Sequence, residues 1–142
     1  MKGVYVHFPF CARRCVHCDF AVRVQPRRAA TEQSLHAQYV HFLEREIAAT
    51  YTLFARLPPL ASLYLGGGTP SLARPEHIHA IIAAVTRRQS LSVGAEVTLE
   101  ANPGDFDATK ARAWQLAGVN RVSLGVQSLH LASLALLGRS HP

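Results

Sequence analysis

Apolar positions along the chain switch period in a regular alternation. Gly3 to Phe8, GVYVHF, is a short run of β-branched and aromatic residues and predicts a strand. From Thr31 to Leu57 the apolar residues Leu35, Tyr39, Phe42, Leu43, Ile47 and Phe54 fall at helical spacing, with Thr31 as the expected N-cap. Pro58 and Pro59 break that helix, and Ser62 to Leu65 reads as a second buried strand. RPEHIHAIIAAVTRR opens with Pro75 near N1 and stripes Ile78, Ile81, Ile82 and Val85 along one face of a second helix. AEVTLEANP predicts a third strand ended by Pro103, and DATKARAWQLAG a third helix capped by Asp107 and stopped at Gly118. NRVSLGVQ and HLASLALLG complete the series as a fourth strand and a fourth helix, the latter stopping at Gly138.

Strand and helix therefore alternate four times, which argues for an α/β fold with a parallel sheet and crossover helices. A doubly wound sheet and part of a (β/α) barrel both satisfy that pattern. In either, chemistry belongs at the C-terminal ends of the strands. The unusual residues fall there. Three cysteines follow the first strand, GGGTP (Gly66 to Pro70) follows the second, Glu100 and Asn102 end the third, and Gln127 and Ser128 end the fourth.

Composition narrows the class. The 142 residues suffice for one domain with a core, and 49% hydrophobic against 17% charged excludes a disordered chain. No apolar run reaches the ~18 residues of a membrane span. The N-terminus MKGVYVHF lacks an h-region and a small-residue cleavage site, so the expected location is cytoplasmic. The net charge is +6, with arginines paired at Arg13-Arg14, Arg27-Arg28 and Arg87-Arg88. Such pairs are read first as solvated surface, ahead of a nucleic-acid footprint, and no nucleic-acid partner is expected.

All three cysteines lie within eight residues, at Cys11, Cys15 and Cys18. A disulfide would strand one thiol and is disfavoured in a reducing compartment. A structural zinc site needs a fourth ligand, for which His7 or His17 is available. An iron–sulfur cubane is the remaining reading. Three thiolates hold three irons and leave the fourth open, and an open position marks chemistry rather than structure.

CxxxCxxC after a first strand, followed by an aromatic in CDF, resembles the radical S-adenosylmethionine enzymes. YVHFPFC, LGGGTPS, EVTLEANPGD, GVNRVSLGVQS and LLGRSH resemble one family within them, the oxygen-independent coproporphyrinogen oxidase-like proteins, over essentially the whole chain. The resemblance implies a partial (β/α) barrel of about four β/α units. It implies a 4Fe-4S cluster on Cys11, Cys15 and Cys18, and S-adenosyl-L-methionine held at Tyr5, Gly67, Gly68, Thr69, Glu100, Gln127 and Arg139. The glycines would let backbone amides approach the cofactor, and Glu100 would accept from ribose hydroxyls. His7 matches a recurrent family position, with an ordinary packed histidine as the competing reading. Trp114 is expected in the core.

The oxidase branch of that family carries CxxxCxxCxC, whereas position 20 here is Phe20. That departure favours the heme-chaperone branch, which implies heme or porphyrin as ligand, a heme-acceptor protein and an electron donor as partners. The alternatives are the oxidase, which decarboxylates two propionates, and a tRNA- or protein-modifying radical enzyme. Residues 1–142 are expected to form the N-terminal part of the radical core, with the cluster loop at about 5–20. The rest of the barrel and a C-terminal domain are expected to be absent.

Overall fold

The computed structural model describes residues 2–25 and 29–139, with backbone alone for 29–34. Four strands form one parallel sheet: β1 (Gly3–Phe8), β4 (Leu60–Gly67), β5 (Leu91–Ala101) and β6 (Arg121–Leu124), in the order β1-β4-β5-β6. Two short segments, β2 (Phe10–Cys11) and β3 (Arg23–Val24), pair separately just beyond β1. Helices α1 (Ala29–Tyr51), α2 (Pro75–Thr86) and α3 (Ala108–Leu116) are the crossovers, and α4 (Leu131–Leu136) follows β6.

Each strand of the main sheet lies beside the next one in the chain. A doubly wound sheet would reverse direction at a switch point. The order is therefore that of a singly wound, partial barrel.

Alternation along the strands separates two faces. Val6, Phe8, Leu63, Leu65, Val97 and Leu99 are at most 4% exposed and meet Ile78, Ile81, Val85, Val40 and Ile47 from the helices in one core. Trp114 belongs to the same core. The register rows of the opposite face are Tyr5–Tyr64–Thr98–Arg121 and His7–Gly66–Glu100–Ser123. This face is polar, unlike the near-continuous apolar strands of parallel sheets buried on both sides.

Most boundaries follow the apolar pattern, and the differences have local causes. Helix α1 begins at Ala29, so Thr31 lies inside it rather than capping it. Its C-terminal end is Tyr51, short of the expected Leu57, and is followed by the turn bonds Leu53 N–H to Thr50 O and Phe54 N–H to Tyr51 O. β5 begins at Leu91, four residues before the expected Ala95. Gly94 adopts φ +74° at a register irregularity, so the strand runs through a bulge there instead of starting after it. β6 ends at Leu124, since Gly125 to Gln127 leave the sheet and Gln127 takes φ +67°. Asp107 caps α3 by accepting from Lys110 N–H at 2.8 Å, and Gly118 and Gly138 take positive φ after their helices. Arg13, Arg14, Arg87 and Arg88 are exposed, as expected of surface pairs. Arg27 and Arg28 lie outside the described residues.

Candidate metal and cofactor site

The loop after β1 is tied down at both ends by backbone hydrogen bonds. Arg23 N–H donates to Pro9 O at 2.7 Å and Gln25 N–H to Cys11 O at 2.8 Å. Between these ties residues 12–22 project beyond the sheet and carry two of the thiols. Cys11 is buried, while Cys15 and Cys18 are half-buried, and all three are free. Cys18 N–H donates to Cys15 O at 3.1 Å, and Arg14 Nε to Cys18 O at 3.2 Å. Burial pushes the Cys11 thiol up, and the neighbouring Cys18 and Cys15 add to this. The Thr69 hydroxyl, which donates to its sulfur at 3.4 Å, and Arg139 pull it back.

The glycine loop packs directly against this base. Gly68 N–H donates to Phe8 O at 2.7 Å, and Thr69 N–H to Phe10 O at 2.8 Å. A Cβ on Gly68 would lie 2.6 Å from the Phe10 carbonyl oxygen, so a side chain there would separate the two loops. Gly67 N–H donates to Glu100 Oε2 at 2.9 Å. All three amides thus have partners within the chain, which corrects the expectation that they face a ligand. What Gly67 and Gly68 offer is bare backbone and carbonyl oxygens, each with two lone pairs.

Glu100 has a second role that its position at a strand end did not suggest. Its Oε1 accepts from Tyr64 O–H at 2.7 Å while Oε2 holds Gly67, so the carboxylate braces the glycine loop. Each oxygen keeps one lone pair for another donor. Across the rim, Arg139 Nη1 donates to Asn102 Oδ1 at 2.7 Å. Asn102, Gln127 and Arg139 converge on Gly125, where a Cβ would meet each of them within 3.4 Å. Gly125 and Tyr64 were not expected in the site. A glycine at the end of a strand on the active rim was the available signal for the first, and nothing in the sequence signalled the second.

These groups surround an open cavity of ≈ 990 Å³ at the C-terminal ends of the strands. Nine of the ten expected site residues line it: Cys11, Cys15, Cys18, Gly67, Gly68, Thr69, Glu100, Gln127 and Arg139. Tyr5 does not. It sits one register row lower, against His7 and Tyr64, and is 57% exposed.

The donor set fits a cubane better than a single ion. Among the described residues no three His, Cys, Asp or Glu side chains close on one metal position. A cubane does not ask for this, because each thiolate binds a different iron. His7 is not free to serve as a zinc ligand, since Nδ1 contacts Tyr5 Oη at 2.9 Å and Nε2 contacts Ala21 O at 2.8 Å. Arg139 Nε is buried with no partner among the described residues, an unused donor at the cavity wall.

The sequence profile of the Radical SAM superfamily matches residues 5–142. The chain belongs to that superfamily. Among curated relatives, it is 39% identical to the zebrafish Radical S-adenosyl methionine domain-containing protein 1, mitochondrial, over 98% of this chain and 30% of the relative. It is 37% identical to the heme chaperone HemW of Synechocystis, over 98% of this chain and 33% of the relative. The corresponding figures for HemW of Escherichia coli are 36%, 98% and 35%. Among solved structures, the coproporphyrinogen III oxidase HemN of Escherichia coli superposes with a TM-score of 0.82 at 29% identity, over 97% of this chain and 30% of that one. The chain spans about a third of the length of these relatives. The superfamily implies iron–sulfur and S-adenosylmethionine chemistry in general, and the rim cavity with its three free thiols is where this chain can accommodate both. No helix among the described residues is long and apolar enough to cross a membrane.

Proposed function

We propose that residues 1–142 form the cluster-bearing part of a heme-handling radical S-adenosylmethionine protein of the HemW type. In this reading Cys11, Cys15 and Cys18 hold a 4Fe-4S cluster whose fourth iron is left for S-adenosylmethionine. When bound, that pair supplies the electron and the sulfonium whose cleavage gives a 5′-deoxyadenosyl radical. The residues of the chain bind and orient. Carbonyls of Gly67 and Gly68 accept from the ammonium group of the cofactor. Glu100, braced by Tyr64, accepts from ribose hydroxyls, and Gln127 offers donor and acceptor in one planar group. Arg139 offers its unpartnered Nε to the carboxylate. Tyr5 acts from below the cavity, through His7 and Tyr64. The full protein would bind heme, pass it to an acceptor protein and take its electron from a separate donor. Free thiols fit the reducing cytoplasm.

The observation that carries the heme-chaperone branch is Phe20. It stands where the oxidase pattern needs another cysteine, and it lines the cavity with 66% of its surface exposed, an apolar plane carried by the cysteine loop itself. The fold similarity to HemN favours the oxidase as the second reading. The two are separated in a protein extended to the length of these relatives. Stoichiometric heme binding with no decarboxylated porphyrinogen is expected, and conversion of coproporphyrinogen III would replace this reading with the oxidase.

A further inference from the structure

His7 stands at the C-terminal end of β1 on the polar face, with its ring between two parts of the chain that meet only in the fold. Its Nε2 lies 2.8 Å from the backbone oxygen of Ala21, fourteen residues later. A carbonyl can only accept, so Nε2 carries the ring proton. Nδ1 is then the acceptor, and Tyr5 O–H donates to it at 2.9 Å. The partners thereby select one neutral tautomer. The backbone of His7 is held as well, because Tyr39 O–H from α1 donates to its carbonyl oxygen. Above it the ring fills the space of the missing side chain at Gly67, where a Cβ would lie 2.7 Å from His7 Nδ1 and Cε1. Gly67 also takes φ +117°, so two independent demands require glycine there.

Ala21 is three residues past Cys18, on the limb that returns from the outermost thiol toward β3. Cys11 is already fixed by β2 and by Thr69. The return limb bends back over β1, where His7 reaches it. Resting on the cluster assignment proposed above, we infer that His7 is a positioning residue. It clamps the return limb of the cysteine loop to β1 and so holds Cys18 in register with Cys11, without itself binding metal. Through Gly67 the same ring links the placement of the cysteine loop to that of the glycine loop.

The test compares the full chain with His7→Gln, His7→Leu and Tyr5→Phe after anaerobic reconstitution. Glutamine can present an N–H near the place of Nε2, and leucine cannot. Three readouts are taken: amide hydrogen exchange of residues 12–22 in the metal-free protein, the EPR spectrum of the reduced cluster, and the rate of iron loss to a chelator. His7→Leu is expected to speed loop exchange and iron loss about five- to tenfold, as one lost hydrogen bond allows, and to alter the EPR signal. His7→Gln is expected to restore both rates to within about twofold. Tyr5→Phe, which frees the tautomer but keeps the ring, should fall between them. If His7→Gln loses iron as fast as His7→Leu while loop exchange is unchanged in both, the clamp is overturned in favour of a metal ligand. If neither variant changes any readout, it is overturned outright. An unsubstituted chain that assembles no 4Fe-4S cluster overturns the cluster assignment instead, and the loop exchange in metal-free protein still decides the clamp.

Discussion

The two faces of the sheet are built from the same four strands and have opposite characters. Toward the helices, Leu63, Leu65, Val97 and Leu99 are 0–1% exposed. They contribute by removal from water, which needs no particular orientation. On the other face, Tyr64 binds Glu100 and Thr98 O–H donates to Glu96. Arg121 meets Thr98 at 3.3 Å and Glu96 at 3.5 Å. These contacts are directional, and they tie β4, β5 and β6 side chain to side chain across the sheet. The helix face thus carries most of the stability, and the polar face and its rim carry the groups proposed for ligand binding.

The comparison is sharpest at the cysteines. Replacing Cys11, Cys15 and Cys18 together by Ala should abolish iron incorporation and the broad visible absorbance of the reconstituted protein. Far-UV circular dichroism should be unchanged, because the loop contributes little to the core. Stoichiometric zinc in the unsubstituted chain would defeat the assignment.

Leu65→Ala tests the other side. Truncating a side chain with 1% exposure should cost about 2–5 kcal/mol in urea unfolding. The molecules that remain folded should still take up iron. Loss of iron in proportion to lost stability would mean that the faces are not separable.

Glu100→Gln keeps the shape of the brace and removes its charge. S-adenosylmethionine binding, followed by calorimetry on reconstituted protein, should weaken about 10- to 100-fold, the range for hydrogen bonds to a charged group. Unchanged affinity would reduce Glu100 to a structural brace.

A pH titration probes the helix side again. Burial, with His77 second, lowers His36 from 6.5 to about 4. The unfolded chain then takes up the proton first. Stability should be full above pH 6.5, fall as pH drops toward 4, and level off below it. The loss should be on the order of 3 kcal/mol, and His36→Phe should flatten that part of the stability profile. Its ring packs edge to face on Phe8 and stacks at a tilt on Phe10, so phenylalanine keeps the aromatic contact. A slope that survives the substitution would assign the effect to other groups.

The smallest effect belongs to the α3 cap. Asp107→Ala should cost about 1 kcal/mol in thermal unfolding. Iron uptake should not change.

What the sequence determined by itself was the part encoded in local order. Period, breakers and caps placed four β/α units, and the ends of the strands placed eight of the expected site residues around one cavity, while Arg139, beyond α4, came from the family resemblance alone. Cysteine spacing is equally local, so the three thiols were legible as one group within eight residues. The tertiary structure decided what depends on neighbours distant in the chain. Strand order separated a barrel from a doubly wound sheet, since alternation alone is common to both. Thr31 lost its role as a cap because the helix starts two residues earlier, at Ala29. The amides of Gly67, Gly68 and Thr69 proved to be engaged by Glu100, Phe8 and Phe10, residues from two other segments. Tyr5 fell one row below the cavity, and His7 reached Ala21. A hydrogen bond is set by distance and direction in space, and sequence separation carries no information about either.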